Sequence, residues 1–215
     1  MDLFATLIHF FQAGGWFMFP IGAILVLGLV ITLERLLFLN RSARENRRVW
    51  GQMLPLMSAG DFDGAEKVAR ESDTAIGRVL GYGFAHSRQQ ASRAELEMAM
   101  EESLMEVTAL LEKRTHYLAV FANVATLLGL LGTISGLIKA FSAIASLNLA
   151  EKTNVLSFSI SEALNCTAFG LLVAVPMLLI HSWLTTKAGE LVDSLEMASV
   201  KFLNSLSLKR APGAR

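Results

Sequence analysis

The sequence predicts an all-α integral membrane protein with three transmembrane helices. Its N-terminus is expected outside and its C-terminus inside, with long helices 2 and 3 extending into the cytoplasm. Three observations lead there. The 215-residue chain is 53% hydrophobic and only 18% charged, whereas a soluble domain carries about a quarter charged residues. The apolar residues gather in three blocks, each long enough to cross roughly 30 Å of hydrocarbon at about 1.5 Å per residue. Basic residues flank those blocks on one side only, which sets the orientation.

Residues 1–15 read as an N-terminal interfacial helix. The stretch 2–12 is rich in Leu, Ile and Phe and stops at Gly14-Gly15. It lacks the basic start and small-residue cleavage site of a secretory signal, so it fits a helix lying on the membrane surface. Transmembrane helix 1 covers 16–38, with Pro20 in its first turn or two, where a missing N–H costs least. Arg35, Arg41, Arg44, Arg47 and Arg48 mark its cytoplasmic end. The periplasmic loop 146–154 carries only Glu151 and Lys152, and Lys187, Lys201, Lys209, Arg210 and Arg215 follow the last span, so all three flanks agree.

Residues 39–115 form a cytoplasmic helical segment. Gly60-Asp-Phe-Asp63 is a turn in which Asp61 or Asp63 caps the next helix. Gly77, Gly81 and Gly83 loosen the stretch that follows. Ser92 and Glu95 have the spacing of a capping box. No Pro or Gly intervenes from there to Gly129, so a continuous helix is expected from about Ala94 to Ala145, some 75–80 Å long at about 1.5 Å per residue. Glu95, Glu97, Glu101, Glu102, Glu106 and Glu112 give its first half a solvated face. Its second half is transmembrane helix 2, residues 116–145. Transmembrane helix 3 covers 155–184, ending near Trp183 at an interface that Trp favours. Leu191, Leu195, Ala198 and Phe202 continue its apolar pattern into a cytoplasmic extension and tail, 185–215.

Several function classes are disfavoured. Zero net charge and the lack of a basic stripe interleaved with aromatics argue against nucleic acid as a partner. The single cysteine, Cys166, excludes an internal disulfide, and the scattered His9, His86, His116 and His181 suggest no metal site. No nucleophile–base pair or phosphate-binding glycine loop stands out, so no catalytic residue, cofactor or enzymatic activity is expected.

What stands out instead is small residues where membrane helices usually carry bulky ones. In the second span Ala122, Thr126, Gly129, Thr133, Gly136 and Ala140 recur in steps of four and three, one stripe of a helix. In the third, Ser159, Ala163, Cys166, Thr167, Gly170 and Ala174 form the matching stripe, with Leu164, Leu171, Val175 and Leu178 away from it. Thr133 and Thr167 stand about equally far from the loop, so an antiparallel pair holds both hydroxyls at one depth, about 18 Å in. Two readings are open: close helix packing, which small residues favour, and the lining of an ion path. Glu162, about 10 Å inside the external end, adds weight to the second, because an ionisable group within a span is costly. Lys139 falls near the same depth and is a candidate charge partner. It points away from its own helix's small stripe, which favours pairing between subunits or snorkelling to the interface. No span has an ionisable group at its centre, so a proton path needs a carboxylate from another polypeptide.

Gly129-Leu-Leu-Gly-Thr-Ile-Ser-Gly136 with Ala140-Phe141, and Glu162-Ala-Leu-Asn-Cys-Thr-Ala-Phe-Gly-Leu171 with Ala174-Val-Pro176, resemble the MotA/TolQ/ExbB proton-channel family. Gly60-Asp-Phe-Asp-Gly-Ala65 is a weaker match to the family's cytoplasmic loop. Three spans with the N-terminus outside resemble the ExbB/TolQ branch more than the MotA branch, which has an additional span. The resemblance implies a bacterial inner-membrane, multi-pass subunit: a homopentamer around two copies of a single-span partner like ExbD or TolR, which supplies a membrane aspartate. Thr133 and Thr167 match the family's polar pore positions and Glu162 its third-span glutamate. Proton flow then drives a periplasmic or outer-membrane process, transport or envelope function. The alternatives are a non-conducting membrane scaffold and a flagellar or gliding stator subunit of the MotA type. The chain departs from the family at Thr126, where proline is common, at Ser135, where Trp is frequent, and at Asn165-Cys166 beside Thr167. These departures bear on hydration and ion choice, proton rather than sodium being what the family implies.

Overall fold

A computed structural model of the chain describes residues 14–89, 91–144 and 149–210, all of it helix and connecting turns. The expected interfacial helix at 2–12 and the tail after 210 lie outside the described residues, as do 145–148 of the loop. The helices are α1 (Met18–Ser58), α2 (Phe62–Glu71), α3 (Ala75–Arg88), α4 (Arg93–Glu112), α5 (His116–Ile144) and α6 (Leu149–Arg210). Among the described residues three segments are long and apolar enough to cross a membrane: Met18–Ser58, Arg93–Ala143, which takes in α5 up to Ala143, and Lys152–Ser207. The chain divides into two compact units. Unit 1 comprises Met1–Leu33 and Arg114–Trp183; unit 2 comprises Glu34–Lys113 and Leu184–Arg215.

In unit 1, α1 begins after a turn whose Gly15 has φ +74°, a conformation that suits glycine. Met18 N–H donates to the Gly15 carbonyl at 3.2 Å as the helix starts. Pro20 is its third residue, so the missing N–H has no helical partner to lose. The α1 span lays Val26, Leu29, Val30 and Leu33 on an exposed face, while Met18 and Ile21 are buried. Residues 149–154, expected in the loop, are instead the first turns of α6.

Unit 2 is built from the second half of α1, helices α2 to α4 and the end of α6. α1 runs well past its apolar span, through Gly51 and Pro55 to Ser58, with Arg41 pairing with Glu45 at 2.8 Å, one turn on. It ends at Gly60, φ +80°. There Asp61 N–H donates to Leu56 O and Gly60 N–H to Met57 O, the paired bonds of a Schellman C-cap. Of the two candidate caps for α2 it is Asp61 that serves, accepting from Gly64 N–H at 2.9 Å. Thr74 caps α3, and Asn46 of α1 accepts the buried Ile76 N–H at 3.2 Å.

α3 is unbroken, which corrects the expectation that its glycines loosen it. Gly83 is there for close approach: a Cβ would lie 2.7 Å from Phe202 and 2.8 Å from the Met100 sulfur. The capping box opens α4 as expected, with Ser92 N–H on Glu95 Oε2 at 2.7 Å and Glu95 N–H on Ser92 Oγ at 3.3 Å. Leu96, Met100, Val107 and Leu111 line its buried stripe, and its glutamates are solvated. In the unit's core Phe84 and Phe202 meet edge to face, ring centroids 4.7 Å apart.

The expected continuous helix from Ala94 to Ala145 is in fact two. The break falls at Lys113–Thr115, where Arg114 adopts φ +66°. A left-handed conformation costs a non-glycine residue roughly 1 kcal/mol, and stopping a helix leaves its last carbonyls without partners. Arg35, a residue only 3% exposed, supplies two of them: its guanidinium donates to Leu111 O at 2.8 Å and Leu110 O at 3.3 Å.

Candidate functional site

The two small-residue stripes face each other within unit 1. Ala122, Gly129, Gly136 and Ala140 of α5 are buried, as are Ser159, Ala163, Cys166, Gly170 and Ala174 of α6. Their bulky counterparts Leu127, Leu131, Ile134 and Ile138, and Leu164, Leu171, Val175 and Leu178, are exposed on the outer faces. The backbones come into contact at three levels. A Cβ on Gly170 would lie 2.7 Å from the Ala125 carbonyl oxygen, and one on Gly129 would lie 3.2 Å from Thr167 Cα. One on Gly136 would meet the Ala163 Cβ at 2.7 Å and the Ser159 carbonyl at 3.0 Å. Contacts climb α5 as they descend α6, so the pair is antiparallel. At Gly170 and Gly136 a Cβ would force a shift and at Gly129 it would make a tight contact, and dispersion between closely apposed helices is what holds them together where lipid gives no hydrophobic drive.

Polar groups are set into this seam. The Thr167 hydroxyl crosses it to donate to the Gly129 carbonyl at 2.8 Å. Thr133 donates to its own helix at Leu130 O, 2.6 Å away, and Thr126, on the exposed margin of the stripe, to Ala122 O at 3.0 Å. Thr133 lies between the Gly129 and Gly136 contacts, so the two hydroxyls stand within about one helical turn of each other, ~5 Å along the axis. Each hydroxyl that has donated its proton keeps lone pairs able to accept another. From Tyr117 to Ile138 and from Ala163 to Ile180 there is no Asp, Glu, Lys, Arg or His.

Charge enters at one end of the seam. Lys139 Nζ lies 3.1 Å from Glu162 Oε1 of the same chain. The lysine stem is long enough to reach round the helix from outside the stripe. Glu162 also touches a residue the sequence did not single out for this site: a Cβ on Gly15 would run into the same Oε1. Gly132, within the Gly129–Gly136 motif but off the small stripe, packs against Cys166 Sγ, with Phe17 Cβ close by. A double glycine before a span signals a turn, and nothing in its spacing signals which carboxylate it will meet. Among the described residues no group of three or more His, Cys, Asp or Glu is placed to hold a metal ion.

Comparison with known proteins gives this arrangement a family. The profile of the MotA/TolQ/ExbB proton channel family matches residues 71–197, which include the whole seam. The ExbB-like protein 1 of Synechocystis sp. is 31% identical over 194 residues, covering 87% of this chain and 74% of that protein. The biopolymer transport protein ExbB of Pseudomonas putida is 27% identical over 145 residues, 63% of this chain and 43% of its own length. The Tol-Pal system protein TolQ of Haemophilus influenzae is 31% identical over 97 residues, 45% and 40% of the two chains. With its three apolar helices and the α5–α6 seam inside the matched stretch, this is a multi-pass inner-membrane protein that belongs to the MotA/TolQ/ExbB proton channel family, in its ExbB/TolQ-like branch.

Proposed function

We propose that this chain is the channel and motor subunit of an inner-membrane complex that converts the proton motive force into mechanical work for a periplasmic or outer-membrane process. The observation that carries this reading is the pair of hydroxyls, Thr133 and Thr167, set at neighbouring levels in a stretch free of charged side chains. Hydroxyls of this kind can hold a short file of water and pass a proton along it, but they cannot store the proton. The storing group is a carboxylate brought by a single-span partner like ExbD or TolR. Five copies of this chain surround two copies of that partner, with Thr133 and Thr167 lining the path and Glu162 at its outer end. The small residues Ala122, Thr126, Gly129, Gly136, Ala140, Ser159, Ala163, Cys166, Gly170 and Ala174 set the path's walls through helix packing.

The N-terminus lies outside, with spans at 16–38, 116–145 and 155–184, and residues 39–115 and 185–215 lie in the cytoplasm. The exposed Arg41, Arg44, Arg47 and Arg48 beyond the first span support that orientation. The test is proton flux in vesicles carrying this chain with its partner. Thr133→Val with Thr167→Val, assembly intact, is expected to cut flux at least ~10-fold, the change that about 1.4 kcal/mol in a barrier produces. Unchanged flux sinks the assigned path.

A second reading is a non-conducting membrane scaffold. One observation favours it: both hydroxyls are already bonded to carbonyls, as plain packing requires. It expects the complex to go on working after the proton gradient is dissipated.

A further inference from the structure

Two outer faces of unit 2 carry opposite charge, and most of that charge is unpaired. On α1, Arg41, Arg44 and Arg48 follow in steps of three and four, one stripe of a helix. The stripe lies opposite the residues α1 buries, Leu39, Asn46, Met53 and Met57. All three arginines are exposed, as is Arg47 beside them. Arg41 reaches Glu45 of its own helix. Arg44, Arg47 and Arg48 make no ion pair among the described residues.

α4 presents the counterpart. Met98, Glu102 and Met105 run in steps of four and three, opposite its buried stripe. Met98 is 61% and Met105 64% exposed. Between them Glu101 and Glu102 are exposed and make no ion pair among the described residues. The two faces also match in height. α1 enters unit 2 at Glu34 and α4 leaves it at Lys113, so they run in opposite senses past the bond from Arg35 to Leu111 O. Arg41, Arg44 and Arg48 stand six, nine and thirteen residues after Arg35. Met105, Glu102 and Met98 stand six, nine and thirteen before Leu111. At about 1.5 Å per residue, each such pair shares a level.

We propose that these faces bind one another between neighbouring copies of this chain, the arginine stripe of α1 in one copy docking on the α4 stripe of the next. Where copies are related by rotation about an axis along the helices, equal heights meet. Arg44 then faces Glu102 and its neighbour Glu101, while the stems of Arg41 and Arg48 cover Met105 and Met98. Arginine stems cover apolar surface with the charged head still in water, and methionine adapts its shape to them. Like charges a turn apart repel along each helix, and the neighbour's opposite charges relieve that repulsion. Two different patches join head to tail, the arrangement from which rings close. Anionic lipid headgroups fit the arginines less well. Along α1, Arg48 stands about 15 Å beyond residue 38, past a headgroup layer about 5–8 Å deep. Headgroups also leave the acidic stripe without a role.

The proposal rests on the reading above that several copies assemble, and needs no proton to move. Two chains with different tags are co-produced with the single-span partner, each carrying Cys166→Ala so that the introduced thiol is its only one. One has Arg48→Cys and the other Met98→Cys, which leaves Arg44 and Glu102 in place. A short bismaleimide is expected to yield a product bearing both tags, with either variant joined to itself only at background. Separately, Arg44→Glu with Arg48→Glu is expected to weaken assembly in detergent at least ~10-fold, equivalent to about 1.4 kcal/mol. Adding Glu101→Arg and Glu102→Arg to that chain is expected to restore it, a rescue that a merely misfolded variant does not show.

A ring by native mass spectrometry without the mixed-tag product overturns the proposal alone, whereas a monomer overturns the several-copy reading with it. Self-joined products as strong as the mixed one, or no rescue by the exchanged charges, also overturn it. If the arginine variant sheds anionic lipid yet assembles as before, the stripe is a headgroup site and the proposal is wrong.

Discussion

The two units of this chain solve the same problem, holding helices together, with opposite choices of side chain. In unit 1 the α5–α6 seam is made of Gly, Ala, Ser, Cys and Thr, and its large apolar residues point outward. In unit 2 the large residues point inward: Met53, Leu80, Phe84, Met100 and Phe202 are all buried, and the glutamates of α4 lie outside. The difference follows from the surroundings each composition suits. Water drives apolar side chains together, so a core gains most from burying large ones. Lipid is as apolar as leucine, so helices gain only by fitting closely and by exchanging hydrogen bonds, and small residues permit both. Inside-out composition is thus the residue-level signature of the segment read as membrane.

The largest expected effect tests the unit 2 half of that comparison. Phe202→Ala removes a ring that packs on Phe84 and against Gly83. Loss of a buried Phe typically costs about 3–5 kcal/mol. Hydrogen exchange in α3 and α4 should quicken accordingly, while amides of the α5–α6 seam keep their protection. Equal acceleration in both regions would mean that the units are not separately stabilised.

The second test makes one substitution in both units and expects opposite signs. At Gly170 a new methyl meets the backbone oxygen of Ala125, which cannot move without shifting a helix, and overpacking of this kind costs about 1–3 kcal/mol. At Gly81, inside α3, nothing lies within 4 Å of the methyl. There alanine simply restricts the unfolded chain and improves helix propensity, worth up to about 1 kcal/mol. Thermal unfolding in detergent should show Gly170→Ala lowering the midpoint and Gly81→Ala raising it. Two shifts of the same sign would remove the distinction between a glycine kept for contact and one that is merely tolerated.

The seam's residues were legible in the sequence because a helical period is a one-dimensional signal. A step averaging 3.5 residues puts Ala122 through Ala140 on one line whatever packs against it. The Ser92–Glu95 capping box was legible for the same reason, since both partners lie within one turn. What escaped depends on partners far apart in the chain. The break at Arg114 has no Gly or Pro to announce it and is held by Arg35, which arrives from another helix. Lys139 lies outside its helix's small stripe, as its spacing predicts, yet it reaches Glu162 of the same chain, because a wheel of Cα positions ignores a lysine's reach. Gly83 reads as a weak point in α3 until Phe202 is seen against it.

The smallest effect concerns the N-terminus of α4. Ser92 donates its backbone N–H to the Glu95 carboxylate at 2.7 Å. That bond, with the serine side chain as a lesser contributor, holds the Glu95 carboxyl below its usual range. A depressed carboxyl adds stability that is present in full above its unfolded-state pKa and is lost as pH falls through its folded-state pKa. The cap should therefore be intact at neutral pH and through mild acid, then fail at the acid end of the carboxylate range. Glu95→Gln keeps an acceptor for Ser92 N–H but removes the charge, so its contribution should no longer vary with pH. Amide exchange at Ser92 and Glu95, followed down an acid titration, is expected to quicken sharply in the native chain and only along the intrinsic pH trend in the variant. Because Glu95 is solvent-exposed, the midpoint of global unfolding should barely move. A sharp global change would show that α4 is held from its N-terminus rather than by the stripe of Leu96, Met100, Val107 and Leu111.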